Sequence, residues 1–241
     1  MEKGDFAGVA AALPEAARAA RERQFWVALV GRHGWRRVLD AGCGGGFHLR
    51  LLRELGVPVV GLDLALTPLA ALHGFSVLAG DILAMPMRTM RLDAVLCLGN
   101  TFSLLASRTA QRQALRVLGE LLAPDGVLLV QAEDAGITAR NGPRLRTRVL
   151  SDGRIHVRTF ERRGGRVRML AGVADPGGDA ALQGVWLLPT DAARLAALAR
   201  PLGLRAIDIP LPPDGAPGSW WLALRAGRAE TRESGEAIPC Q

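Results

Sequence analysis

The sequence predicts an α/β fold: a doubly wound, seven-stranded, mostly parallel sheet with an antiparallel last strand, carrying an antiparallel β insertion. Three observations lead there. Short, almost wholly apolar runs alternate with segments of helical periodicity, the pattern of strands covered on both faces. The stretch "VLDAGCGGGFHLRLLRELG" sets four glycines between the first such run and an amphipathic segment. After Asp134 the alternation breaks into strand-like runs joined by "SDGR" and "RRGGR", both good hairpin turns.

Taken in order, "PEAARAARERQFWVALVGRHG" reads as a helix with Pro14 in its first turn and Gly31 or Gly34 at its end. "RRVLDAG" is the first strand and "FHLRLLRELG" the helix after the glycine turn. "VPVVGLDL", "FSVLAGDI" and "LDAVLCLGN" are the second, third and fourth strands, with a short helix "ALTPLAALHG" between the second and third. "SRTAQRQALRVLGELLAPDG" is a long amphipathic helix capped by Ser107, and "GVLLVQAED" the fifth strand. The antiparallel insertion runs from "PRLRTRVL" through "LQGVWLLP". The α/β pattern then resumes with "TDAARLAALARPLG", capped by Thr190 or Asp191, and ends in the strands "LRAIDIPL" and "GSWWLALRA".

Composition sets bounds on function. The chain has 241 residues, enough for one domain with a real core, and a formal net charge of +7. Lys3 is the only lysine, so arginine carries the excess, which permits nucleic acid as a partner without arguing for it. No apolar run approaches the roughly 18–20 residues of a membrane span, and the N-terminus does not have the basic start and apolar core of a signal peptide. A cytoplasmic protein with no membrane partner is the expectation. Cys43, Cys97 and Cys240 are too few and too scattered for a disulfide framework or a CxxC metal site, and Cys43 and Cys97 read as packing residues. The four histidines show no metal-ligand spacing, so no metal is expected.

A glycine turn between strand and helix marks the ligand crevice at the carboxyl ends of such a sheet. The dinucleotide pattern GxGxxG is not kept, since its last position is Phe47, and a GK[ST] phosphate loop is absent. The pattern that does fit is D-x-G-x-G-x-G, through Asp40, Gly42, Gly44 and Gly46.

"VLDAGCGGG" resembles motif I of the class I S-adenosylmethionine-dependent methyltransferases, which are Rossmann-like. "VVGLDLA", "LAGDILAMP", "LDAVLCLGNTFSLL" and "LLAPDGVLLV" resemble that family's next four motifs, in order and at the expected spacing, over roughly 37–130. The resemblance implies S-adenosylmethionine (SAM) as cofactor. Asp40, Gly42, Gly44 and Gly46 would pass against its methionine end, Asp63 with Leu64 would hold the ribose, and Asp81 with Ile82 would flank the adenine. Leu98 and Gly99 would offer backbone groups to the methionine amine, and Asn100 would face the reaction centre. Alternatively, the glycines are turn formers, and Asp63 and Asp81 are helix caps.

The acceptor is less defined. "GNTF" replaces the [ND]PP[YF] common in base amino-methylation, and no cysteine motif for pyrimidine C5 attack is present. "CLGNTFSLL" followed by an antiparallel insertion resembles the small-molecule branch, the glycine N-methyltransferase-like and amino-sugar N,N-dimethyltransferase-like enzymes. There the insertion is a lid over a small-molecule acceptor. Methyl transfer from a sulfonium needs alignment and dryness more than proton chemistry. Glu133, Asp134 and His156 are the candidates for a general base. The implied organisation is an N-terminal helical segment (1–34), a SAM-binding core (35–135), a lid (136–188), the completion of the core (189–227) and a flexible tail (228–241). The leading reading is a small-molecule N- or O-methyltransferase. The others are an RNA or protein methyltransferase that uses the arginine-rich lid, and a non-catalytic SAM- or NAD-binding module. No motif specifies an oligomeric state.

Overall fold

A computed structural model describes residues 15–85, 90–140, 145–150, 152–178, 182–210 and 219–227. Pro14, Ser151 of the first hairpin turn, the loop 211–218, Cys240 and the tail lie outside the described residues.

The first helix, α1 (Glu15–His33), ends where Gly34 takes the left-handed conformation (φ +60°) and its N–H bonds the Val30 carbonyl. Then follow β1 (Val38–Ala41), α2 (Phe47–Glu54), β2 (Val59–Asp63), α3 (Leu66–Ala70), β3 (Val77–Ala79) and β4 (Leu92–Cys97). Next come α4 (Thr101–Leu104), α5 (Arg108–Glu120), β5 (Leu122–Glu133) and α6 (Ala135–Arg140). The second sheet is built from β6 (Arg146–Val149), β7 (Ile155–Arg163), β8 (Arg166–Ala174) and β9 (Gln183–Leu187). The chain returns through α7 (Ala192–Ala199) to β10 (Leu204–Ile207) and β11 (Ser219–Ala226).

The seven-stranded sheet has the order β10-β11-β5-β4-β1-β2-β3, with β11 antiparallel to both its neighbours. Its strands alternate faces with period two, and both faces are apolar. Leu39, Ala41, Val95, Cys97, Leu128 and Val130 meet Leu115 and Leu118 of α5 and Leu195 of α7. Val38, Ala94, Leu96, Val127 and Leu129 meet Phe25, Trp26 and Leu29 of α1 and Leu51 and Leu52 of α2. Trp26, Leu29 and Leu115 are fully buried, and truncating one such side chain to alanine costs about 2–5 kcal/mol.

The local signals work where the chemistry is local. Ser107 caps α5 by accepting the Ala110 N–H, and Asp191, rather than Thr190, caps α7 by accepting the Arg194 N–H. Two short helices, α4 and α6, are added to the expected pattern. The fifth strand also starts earlier than expected, at Leu122, with a register shift where it leaves Leu92 for Ala94.

The second sheet is a meander, β6-β7-β8-β9, antiparallel throughout. Its register puts Arg146, Arg148, His156, Arg158, Phe160, Met169, Ala171 and Gln183 on one face. That face turns toward the core, because Phe160, Val167, Met169 and Leu187 pack on Ala135 just beyond β5. The strap from β9 back to the core is stitched down by three hydrogen bonds. Leu188 N–H bonds the Ser103 carbonyl, and Arg108 donates to Thr190 Oγ1 and to the Pro189 carbonyl.

Candidate active site

The glycine turn and the ends of β2 and β4 meet at the carboxyl edge of the sheet. Gly42 (φ +87°) adopts a conformation disfavoured for other residues, and a Cβ there would stand 2.5 Å from Thr101 Oγ1. The turn is therefore pressed against α4. Gly44 (φ +49°) and Gly99 (φ +69°), on the loops after β1 and β4, have open space where a side chain would be. These two bare backbones flank the crevice.

Asp63, at the end of β2, holds the turn in place. Its Oδ2 accepts the Gly44 N–H at 2.8 Å and its Oδ1 accepts the Ala65 N–H at 2.8 Å. A carboxylate has about four acceptor positions, so two remain for a ligand. Asp81 is steadied in the same way, its Oδ1 accepting the Leu83 N–H at 2.8 Å. Leu64 is about half exposed beside Asp63. Ile82 is 7 % exposed and belongs to the core cluster beneath the crevice, so it offers a ring little surface.

Asp40 ends β1 under the turn, fully buried, and its Oδ2 has no partner among the described residues. Burial, and secondarily Asp63, pushes its carboxyl up to about 6, against the opposing pull of His48 and Arg18. Burial raises both thiols as well, Cys43 to about 12, so neither is a nucleophile.

Four of the expected site residues are engaged within the protein. Asn100 (φ +76°) does not simply face an open centre: its Oδ1 accepts the Glu133 N–H at 2.6 Å, clipping the loop after β4 to the end of β5. The Leu98 carbonyl and the Gly99 N–H are also engaged internally, by Thr101 Oγ1 and by Gln131 Oε1. Glu133 is not a free base, because Arg146 binds its Oε1 and Arg158 its Oε2, the latter at 3.3 Å. Those two guanidiniums turn inward, away from any outer nucleic-acid footprint.

His156 is 9 % exposed on the inward face, paired in register with Arg148. Burial first, then Arg158 and Arg148, pushes its imidazole below the usual range, so it is neutral at pH 7.

Several site residues escaped the sequence reading. Gln131 was legible as the lone amide in "VLLVQAED", and it bonds both loop residues: its side chain takes Gly99 N–H and its carbonyl takes Asn100 N–H. Glu22 accepts from Arg18 and Trp26 on α1, and lies 3.7 Å from the buried His48 at the start of α2. The Arg18 guanidinium also sits 4.0 Å over the Phe47 ring. The long first helix thereby reaches the glycine turn, a contact between segments 30 residues apart.

Against this geometry, residues 38–126 match the family model described as a methyltransferase domain. That stretch of the chain is similar to a methyltransferase domain. The chain is 31% identical over 139 residues to a glycine/sarcosine N-methyltransferase from Aphanothece halophytica, a match covering 52% of this chain and 51% of that one. The chain spans about half the length of the curated relatives it matches. Among solved structures it is similar to the CcbJ methyltransferase from Streptomyces caelestis, at TM-score 0.70 and 23% identity, covering 86% of this chain and 90% of that one. It is similar also to CalS10, an amino pentose methyltransferase from Micromonospora echinaspora, at TM-score 0.68 and 23% identity, covering 89% and 92%. These likenesses show a fold shared with those two structures, which in this chain is a seven-stranded sheet with a separate antiparallel sheet.

Proposed function

We propose that the protein is a SAM-dependent methyltransferase that methylates the amino nitrogen of a small acceptor carrying a carboxylate. The observation that carries the cofactor half is the Asp63 carboxylate, held by the Gly44 N–H with acceptor positions to spare, between two glycine loops that leave open space. Those residues fit SAM. Asp63 would take the ribose hydroxyls, Asp81 the adenine amino group, and the bare backbone at Gly44 and Gly99 would pass the methionine end. Bound there, SAM supplies an electrophilic methyl group on a sulfonium.

The acceptor half rests on the inward face of the second sheet. Arg146 and Arg158 stand there, partly buried, against one carboxylate, Glu133, and the exposed Arg148 lies on the same face. That excess of guanidinium favours an anionic acceptor, and a carboxylate matches the fork geometry. An amino acid of the glycine/sarcosine kind, the acceptor in the relatives' names, has that group, and an amino sugar lacks it. Glu133 aims the arginines, Asn100 fixes Glu133, and the neutral His156 is the group able to take the proton from the acceptor's ammonium, freeing the amine whose lone pair would displace the thioether from the methyl carbon. The packed second sheet excludes water during transfer.

Calorimetry with SAM and NAD, followed by methyl transfer from labelled SAM to glycine, longer amino acids and an amino sugar, tests both halves. Micromolar SAM binding with NAD inert, and label on an amino acid, is the expected result. Tighter binding of NAD would overturn the cofactor assignment, and preferential labelling of the amino sugar the acceptor assignment.

A further inference from the structure

At the opposite end of the sheet from the crevice, the amino ends of the parallel strands form a second concavity. A cleft of about 670 Å³ is lined by Arg32, His33, Arg36, Arg37, Asp93 and Arg225, among others. A smaller cleft beside it adds Arg205 and shares Asp125 and Arg225. Five arginines thus converge on two carboxylates.

The local charges do not cancel. Asp93 is spent within the fold: its Oδ2 accepts the Arg36 and Arg37 N–H groups at 2.9 Å, and its Oδ1 pairs with the Arg37 guanidinium. Among the described residues the other four arginines have no ion-pair partner. Arg205 and Arg225 stand directly opposite one another on β10 and β11, a like-charge pairing that destabilises a sheet. Among the described residues the Nε of Arg225 is buried without a hydrogen-bond acceptor. A buried guanidinium donor left unpaired destabilises the fold.

Two features shape the cleft's lining. Gly126 lies in it where the backbone packs closely, since a Cβ there would stand 2.5 Å from the Leu92 carbonyl. His33 lies stacked on the buried Trp35 ring, centroids 5.7 Å apart, which fixes the wall between α1 and β1. Burial, then Arg225 and Arg32, pushes His33 below its usual pKa, so it adds no further cation at pH 7 and can donate or accept as a neutral ring.

We propose that this cleft is a binding site for a phosphoryl anion of two or more negative charges, separate from the methyl-transfer crevice. Several guanidiniums arriving from α1, the loop before β1, β10 and β11 ask for an acceptor with oxygens pointing several ways. A phosphate or diphosphate has that arrangement, whereas a single carboxylate offers two oxygens in one plane. The anion would offset the opposed charges of Arg205 and Arg225, which face each other across β10 and β11.

The test is calorimetry on the full chain at low and physiological ionic strength. Inorganic pyrophosphate is one probe. ATP is the other, added with the crevice saturated by S-adenosylhomocysteine. One saturable site for pyrophosphate is expected, with affinity falling at least tenfold in Arg225→Gln and in Arg36→Gln, while SAM binding is unchanged. Arg225→Lys keeps the charge but removes the planar fork of donors, and a loss smaller than that of Arg225→Gln is expected. Equal affinities for the two probes identify a phosphate-only ligand, and tighter ATP binding identifies a nucleotide, both within the proposal. Absence of saturable binding overturns it. So does pyrophosphate binding weakened as much by Arg162→Gln on the second sheet as by Arg36→Gln, since that is diffuse charge attraction. Tight tRNA binding with none of pyrophosphate makes the cleft a nucleic-acid surface instead and likewise overturns it. A failure here leaves SAM binding untouched, so it is distinguishable from failure of the methyltransferase reading.

Discussion

The carboxylate of Asp63, at the end of one strand, accepts the N–H of Gly44, 19 residues earlier and on the turn after the neighbouring strand. One side chain therefore has two duties, shaping the turn and presenting its remaining acceptor positions to a ligand. Asp63→Ala removes both. SAM affinity is expected to fall ten- to a hundredfold, from loss of a charge-assisted bond worth about 1.5–3 kcal/mol. The melting temperature drops as well, through the loosened turn. Calorimetry and a thermal melt read the two effects separately, and unchanged affinity would refute the ribose role.

Gly42 gives a steric prediction. In Gly42→Ala the new methyl collides with Thr101 Oγ1 and the backbone is held at positive φ. A destabilisation of about 1–3 kcal/mol is expected by denaturant titration. Thr101→Ala in the same chain should recover the part due to collision and leave the part due to φ. Absence of any recovery would mean that the turn and α4 are not in contact.

Glu133 separates positioning from proton transfer. Glu133→Gln leaves the guanidiniums of Arg146 and Arg158 facing a neutral amide. Both arginines are about a quarter to a third exposed, so the loss is put at about 1–3 kcal/mol, below that for a fully buried pair. SAM affinity should hold, and the KM for an amino-acid acceptor should rise more than kcat falls. A large fall in kcat with stability intact would instead make Glu133 the base.

Asp40 makes stability depend on pH. Folding raises its pKa from 3.8 to about 6, so the folded chain holds the proton more tightly than the unfolded one. Its stabilising contribution is full below about pH 4 and is lost as pH rises through about 6, an effect of about 3 kcal/mol at most. Asp40→Asn should be more stable than the parent protein at pH 8, with the difference vanishing near pH 4. Parallel stability curves for the two proteins would contradict the buried, unpartnered carboxylate.

The core strands, the caps Ser107 and Asp191, and the second sheet's hairpins were legible because each depends on neighbours in sequence. Asp63 was legible by its distance from the glycines. The partners of Asn100 and Glu133 were not. Glu133 meets Asn100 from 33 positions away and Arg146 from 13, and no local pattern states which polar groups the topology will bring together. The same holds for Arg18, Glu22 and His48, on two helices whose packing is decided by Trp26 and Leu52 rather than by the charges themselves.

The strand order bears on how the chain folds. The last strand, β11, lies between β5 and β10, so one edge of β5 stays unpaired until residues 219–226 exist. By then the whole second sheet has been synthesised, and its hairpins join near neighbours that can pair early. A nascent or truncated chain ending before Ser219 would therefore hold a completed second sheet beside an open apolar edge at Leu128–Val130, a template for intermolecular pairing. Closure of the core is a late, long-range step, and expression fragments that stop short of β11 should aggregate rather than yield a smaller soluble domain.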